Sequence, residues 1–360
     1  MAQTLQSEAD AFVERLVDAV DGAFLVFTVY IGDQLGYYET LVDEGALTST
    51  ALAEATDTDE RYAREWLEQQ TLAGVLSVDD PDASADERRY SLPEGHVEVL
   101  TDAESLNYLA PLAQVFVGAA LPIRAVVEAF RTGEGVPFAD YSPDLHEGQA
   151  RINRPAFRHL LGAEWLPTMP DVDSRLREPG ARVADIGCGF GHSCVGIADA
   201  YPEVHVDGYD LDAESVEAAR EVVAEAGLAD RVEIHRRDAS DPDIEGAYDL
   251  VTAFECVHDM ADPVGALATM RRLATPDGTV LVMDERVGET FAAPEDFDWM
   301  MYGWSVLHCL PVGRADTPSA ATGTVMRTDT LRAYAEQAGF TSVEVLPIET
   351  EFFRFYRLEG

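Results

Sequence analysis

Residues 183–191 read Val-Ala-Asp-Ile-Gly-Cys-Gly-Phe-Gly, and Asp210 closes the later apolar run Val206-Asp-Gly-Tyr-Asp. An apolar strand therefore runs into glycines at alternate positions, then a helix, then a second strand that ends in an acid. This is the layout of a nucleotide-binding βαβ unit, in which glycines admit a ligand to the backbone and the acid grips a ribose. Dinucleotide sites use G-x-G-x-x-G, whereas here His192 stands where the third glycine would be. A third acid, Asp238, follows a further apolar run in the same register. One strand-end acid commonly caps a helix. Three acids in register with the glycines point to a shared ligand.

The pattern Asp185-x-Gly187-x-Gly189-x-Gly191 resembles motif I of the class I S-adenosylmethionine (SAM) methyltransferases. The resemblance implies that Gly187, Gly189 and Gly191 cradle the methionine part of the cofactor and that Asp185 fixes its amino end. Asp210 would hold the ribose hydroxyls, with Leu211 against the adenine. Asp238 and Ala239 would read the adenine amino group, and Phe254, at the end of the fourth strand, completes the cofactor set. A dinucleotide-binding oxidoreductase remains the rival reading of the glycine loop.

The chain has 67 acids against 25 basic residues, a net charge of −42, and every basic residue is Arg. This composition resembles that of proteins from extreme halophiles. In molar salt the Debye length falls to about 3 Å, so dense like charges scarcely repel. The acidity disfavours nucleic acid as a partner, because phosphate contacts need clustered Lys or Arg. The adjacent pairs Arg88-Arg89, Arg236-Arg237 and Arg271-Arg272 each have acids close by. No signal peptide is visible, and the apolar run Phe24–Ile31 is too short to span a bilayer. Cys188, Cys194, Cys256 and Cys309 lack metal or disulfide spacing. A soluble, cytoplasmic protein without a bound metal is expected.

Two domains are expected, 1–170 and 171–360. In the first, helices are predicted over 8–31, 35–44, 48–55 and 59–73, followed by strands at 75–78 and 89–92, which together make a winged helix. Further helices are expected over 105–131 and 149–166. At the recognition-helix position, 59–68 carries four acids against two Arg. DNA would meet repulsion there, so a repurposed winged helix is expected, used for homodimerisation and for covering the active site. The second domain reads as an α/β, Rossmann-like seven-stranded methyltransferase sheet, with strands at 182–186, 205–210, 232–236, 249–253, 279–284, 342–347 and 352–358. The last two are close enough to pair as an antiparallel hairpin. Its site belongs at the carboxyl ends of the first and fourth strands, where the order reverses.

After the fourth strand comes Phe254-Glu-Cys-Val-His-Asp-Met-Ala-Asp-Pro263. It resembles the loop in which small-molecule O-methyltransferases carry a catalytic His in a His-Asp pair, and His258 fits that place. Methyl transfer depends mainly on alignment. A hydroxyl acceptor must also lose a proton, which an imidazole can take. No carboxylate that orients this imidazole is identifiable from the sequence. An aromatic insertion over 288–328 carries Tyr302-x-x-Ser-x-x-His308-Cys-x-Pro311, similar to a bacterial and archaeal group of winged-helix methyltransferases. Trp299 and Tyr302 are expected to line an apolar acceptor pocket, with His308 as a second polar contact, or else to pack a helix. The sequence thus implies a SAM-dependent methyltransferase acting on a small, apolar or aromatic hydroxyl compound. Nitrogen, carbon or sulfur acceptors, and a SAM-responsive regulator, are the alternatives.

Overall fold

The computed structural model describes residues 2–360, with side chains from residue 7 onward. It divides into two compact units, one ending at Val117 and the other spanning Gly118–Gly360.

The first unit contains α1 (Ala2–Gln34), α2 (Tyr37–Glu44), α3 (Ser49–Thr56) and α4 (Glu60–Leu72). The hairpin β1 (Ser77–Val78) and β2 (Tyr90–Ser91) follows, then α5 (Glu94–Thr101) and the start of α6 (Ala110–Ala120). The helix starts are written locally. The Thr48 hydroxyl accepts from Ala51 N–H at 3.2 Å, and Asp59 accepts from Arg61 N–H at 3.0 Å. Tyr37, Tyr38, Leu52, Leu67 and Tyr90 form its buried core. Tyr38 donates to the Gln70 carbonyl at 2.5 Å, and Gln70 donates to the Thr28 hydroxyl at 2.9 Å, which ties α1 to α4. The other face of α1 is apolar and exposed: Phe12, Leu16, Val20 and Phe24, spaced every four residues, are all more than half exposed. The helix expected over 105–131 is broken. Pro122 ends it, having no N–H to continue the ladder, and α7 (Ile123–Thr132) restarts beyond.

The second unit begins with α7 and α8 (Pro143–Ala156), the latter capped by Ser142 and opened by Pro143. A π-helical stretch, Phe157–Trp165, follows, then α9 (Pro170–Leu176). The sheet and its helices are β3 (Arg182–Ile186), α10 (His192–Ala200), β4 (His205–Asp210), α11 (Ala213–Glu225), β5 (Val232–Arg236), β6 (Tyr248–Phe254), α12 (Pro263–Leu273) and β7 (Ala274–Glu285). After α13 (Asp298–Trp304), α14 (Leu310–Gly313) and α15 (Thr328–Gln337), the chain closes with β8 (Ser342–Val345) and β9 (Phe353–Glu359). The compact division falls at 117/118, ahead of the boundary expected near residue 170. The physical reason is burial: Phe157, Leu161 and Trp165 share one core with Val183 and Ile197.

The seven strands are ordered β5-β4-β3-β6-β7-β9-β8. Strands β3 to β7 pair in parallel, and β9 is antiparallel to both β7 and β8. Alternation splits the strand residues between two faces. Val183, Val206, Leu250 and Leu281 pack beneath α10 and the π-helical stretch, whereas Ala184, Val251, Val280 and Val282 pack against α12 and α15. Each fully buried Leu here contributes ~1.5–3 kcal/mol relative to exposure. The order reverses between β3 and β6, so Ile186 and Phe254 end side by side at the crevice. Among the described residues no single helix is long and apolar enough to cross a membrane, though α6 and α7 taken together meet that test.

Candidate active site

A cleft of about 1040 Å³ opens at these strand ends, within the second unit. One half is built on backbone. Gly187 and Cys188 N–H both donate to the Tyr209 carbonyl, at 2.8 and 3.1 Å, drawing the loop onto β4. Gly187 and Gly189 adopt φ of +69° and +50°. A Cβ at Gly187 would meet Cys256 Sγ at 2.7 Å, while at Gly189 it would meet nothing within 4 Å. Both glycines thus present bare backbone: conformation disfavours a side chain at each, and contact with Cys256 refuses one at Gly187 as well. Asp210 accepts from Gly189 N–H and Asp212 N–H, each at 2.9 Å, and burial raises its pKa. Leu211 lies on the rim, 55% exposed, beside Asp238 and Ala239, and Phe254 closes the floor. Asp238 accepts from the Ser240 N–H and hydroxyl, both at 2.8 Å.

These residues fit SAM: an open glycine backbone, an acid for the ribose, a second acid for the adenine edge, and apolar contacts from Leu211 and Phe254. Two expected contacts lie elsewhere. Asp185 is buried beneath the loop, accepting from Ser193 Oγ at 2.5 Å, Thr252 Oγ1 at 2.6 Å and Cys194 Sγ at 3.4 Å. Burial pushes its pKa up to about 6, those three donors opposing. It therefore braces the loop from behind and does not line the cleft. Gly191 is likewise outside the lining: at φ +77° it turns the chain into α10 and faces Ala219.

The other half is built on side chains from distant segments. His258, on a short turn after β6, is 2% exposed and lines the cleft. Its Nδ1 lies 2.9 Å from Asp284 Oδ1 and 3.1 Å from Glu285 Oε2. Its Nε2 is 3.3 Å from Asp259 Oδ1. Burial alone would lower the pKa of this imidazole, but Asp284, Glu285 and Asp259 outweigh it and hold the pKa well above the ordinary value. Glu285 is pushed up to about 7 by burial, with His258 opposing and Asp284 adding. Glu255 is raised well above the carboxylate range by burial and by Glu285. Its backbone sits at φ +52°, and Asn153 Nδ2 donates to its Oε2 at 2.5 Å. A non-glycine residue held there stores strain of the kind found at functional sites.

Asp284 and Glu285 are the orienting carboxylates that the sequence did not identify. They end β7, whose Met283 pairs with Phe254 at the end of β6, so the two strand ends bring them to His258. The signal was present as an acid closing a predicted strand, the same mark that identified Asp210.

His308 also lines the cleft. It lies in a π-turn after α13, with Nδ1 3.5 Å from Cys309 Sγ and its ring edge-on to Tyr141 at 4.8 Å. Burial pushes its pKa down to about 4. Trp299 and Tyr302 correct the expectation for this insertion: neither lines the cleft. Trp299 is 79% exposed, and Tyr302 accepts from Arg327 Nη2 at 3.2 Å while meeting Phe291 edge-on. Helix α13 buries Asp298 and Met301 instead. Periodicity revealed a stripe but not the direction in which it points.

Residues 184–280 match the family described as "Methyltransferase domain", and residues 23–102 match the "Rv2258c-like winged HTH domain". The mitomycin biosynthesis 6-O-methyltransferase of Streptomyces lavendulae is 31% identical over 289 residues, covering 78% of this chain and 79% of the relative. The solved structure of the mitomycin 7-O-methyltransferase MmcR aligns with a TM-score of 0.69 at 23% identity, over 98% of this chain and 99% of that one. Human N-acetylserotonin methyltransferase in complex with SAM aligns with a TM-score of 0.69 at 16% identity, over 97% of both chains.

Proposed function

This chain belongs to the SAM-dependent methyltransferases that carry an N-terminal winged-helix domain, and on that premise we propose that it methylates a hydroxyl oxygen of a small aromatic acceptor with His258 as general base. The observation that carries this reading is the Asp284–His258 pair at 2.9 Å, buried at the cleft floor. When bound, SAM supplies an electrophilic methyl group on its sulfonium. Asp284 accepts a hydrogen bond from Nδ1–H and so leaves Nε2 as the nitrogen that takes the acceptor's proton. The carboxylates hold the resting imidazole protonated, so His258 works as a base only in the fraction that has released its own proton.

The sign of the pH dependence follows. The group has a raised pKa and must be neutral to act, so kcat/KM rises with pH through that pKa to a plateau. Asp284→Asn removes a carboxylate that raises the pKa, so the limb moves to lower pH while the plateau falls. Label transfer from methyl-labelled SAM to a panel of naphthols and catechols, followed against pH, measures both. A flat profile, or an unmoved limb in Asp284→Asn, rejects His258 as the base.

The same reading extends to assembly and solvent. The exposed apolar stripe of α1 fits a second copy of this chain, as a homodimer, and Phe24→Glu is expected to produce monomers in sedimentation equilibrium. A nucleic-acid role for α4 has little support: Arg61, Arg64 and Arg88 are already paired with Glu65, Glu60 and Glu68. A net charge of −42 supports a cytoplasmic enzyme of a salt-rich cell, with a melting temperature that climbs as KCl rises toward molar.

A further inference from the structure

The cysteines carry no metal spacing along the chain, yet the fold collects a mixed donor set around His258. The aromatic insertion is pinned to the turn that holds His258. Gly323 N–H donates to the His258 carbonyl at 3.2 Å, and a Cβ at Gly313 would meet the Asp259 carbonyl oxygen at 3.3 Å. This docking brings Cys309 to His258 and Asp259, and all three residues line the cleft. One ring nitrogen, one carboxylate oxygen and the Cys309 sulfur lie within 4.8 Å of one another. Nε2 is the nitrogen on that side, 3.3 Å from Asp259 Oδ1, which is buried with no hydrogen-bond partner.

One ion can reach all three. Zinc bonds nitrogen and oxygen at ~2.0–2.2 Å and sulfur at ~2.3 Å in a tetrahedron, which sets donor separations of about 3.3–3.6 Å. The His258–Asp259 pair already stands at 3.3 Å. The sulfur, within 4.8 Å of both, has at most ~1.3 Å to close. The far side of the ring supplies the support such a ligand needs. A metal-bound histidine donates its second N–H to a carboxylate, which fixes its tautomer and orientation. Nδ1 faces Asp284 Oδ1 at 2.9 Å and Glu285 Oε2 at 3.1 Å, so the proton belongs on Nδ1 and Nε2 is left for the ion. Asp284 itself lies off the cleft lining, which leaves it the supporting place. A set of nitrogen, oxygen and sulfur selects zinc-like ions over magnesium and calcium, which take oxygen.

We propose that His258 Nε2, Asp259 Oδ1 and Cys309 Sγ form a site for a soft divalent cation of the zinc class, with its fourth position open to the cleft, and that the bound ion silences the base by occupying its nitrogen. Entry of the ion displaces the protons on Nε2 and on the Cys309 sulfur, because both bind a metal deprotonated. The site stands on geometry alone. The silencing rests on the reading of His258 as general base.

Metal-free protein in molar KCl, which screens the exposed acids, is titrated with cobalt(II) as a spectroscopic stand-in for zinc. A thiolate-to-cobalt charge-transfer band is expected, which surface carboxylates do not produce, and zinc should displace it. Cys309→Ala should lose the band. Asp284→Asn should keep it and bind cobalt about 10- to 100-fold more weakly, as loss of a supporting carboxylate requires. Binding of S-adenosylhomocysteine checks that each protein is folded. No band from folded wild type, or an equal band from Cys309→Ala, overturns the site and leaves the methyltransferase reading standing. Saturating zinc should then slow methyl transfer from labelled SAM by about 10²–10⁴-fold, reversibly with EDTA, since that is what a general base contributes. Zinc that fills the site without slowing transfer overturns the silencing and the role of His258 as base, while the site stands.

Discussion

The two halves of the cleft are made by different means. The half proposed for the cofactor is one continuous strand–turn–helix with acids after the next two strands on one side, Asp210 closing β4 and Asp238 following β5, and its glycine loop presents backbone. The half proposed for the acceptor gathers His258, Asp284 and His308 from three separate segments, and its charged groups are side chains. A backbone cradle is fixed once the βαβ unit folds. A side-chain constellation depends on every element that carries a member, and it can be re-specified one residue at a time. Ligand identity on the first side is therefore shared with a family, and on the second side belongs to the individual chain.

Substitutions can break this contrast, and the largest effect is expected in the acceptor half. His258→Ala removes the base and should lower kcat by about 10²–10⁴-fold in the label-transfer assay. It should leave S-adenosylhomocysteine binding intact, because no part of the glycine loop depends on it. Asp210→Ala acts on the other side. It removes a charged acceptor that also holds Gly189 N–H, and hydrogen bonds to charged groups contribute ~1.5–3 kcal/mol, so affinity should fall about 10- to 100-fold in calorimetry. A smaller effect is expected from Asn153→Ala, which unpairs the buried Glu255 and should lower thermal stability by ~1–3 kcal/mol with little change in cofactor affinity. Trp299→Ala should be nearly silent, changing KM by less than about twofold, because exposed positions contribute little. A large KM effect at Trp299 would return the exposed helix α13 to the acceptor site.

What the sequence disclosed follows the same division. The glycine loop, Asp210 and Asp238 were legible because each lies within a few residues of a strand end whose apolar run is visible. The helix starts at Thr48 and Asp59 were legible for the same reason, since each cap bonds the turn it opens. Asp185 carries the motif but faces away from the cleft, because alternation along β3 decides which way a side chain points and the loop bends only after it. Asp284 met His258 through the pairing of β6 with β7, a contact between segments that no local pattern records. His146 was invisible: it sits mid-helix in an unremarkable polar stretch, and only the fold brings it to the cleft. The aromatic insertion misled because a helical stripe shows that a face exists without saying what it faces.

In the proposed reaction a separable backbone cradle binds the cofactor beside an imidazole that does the proton work. Calorimetric titration of S-adenosylhomocysteine into wild type, Asp210→Ala and His258→Ala, all in molar KCl where dense acidic charge is screened, tests it most directly. Binding by wild type, equal binding by His258→Ala, and weakening of about 10- to 100-fold in Asp210→Ala are expected. Equal weakening in both variants would contradict the separation of the two halves, and no binding by folded wild type would contradict the cradle itself.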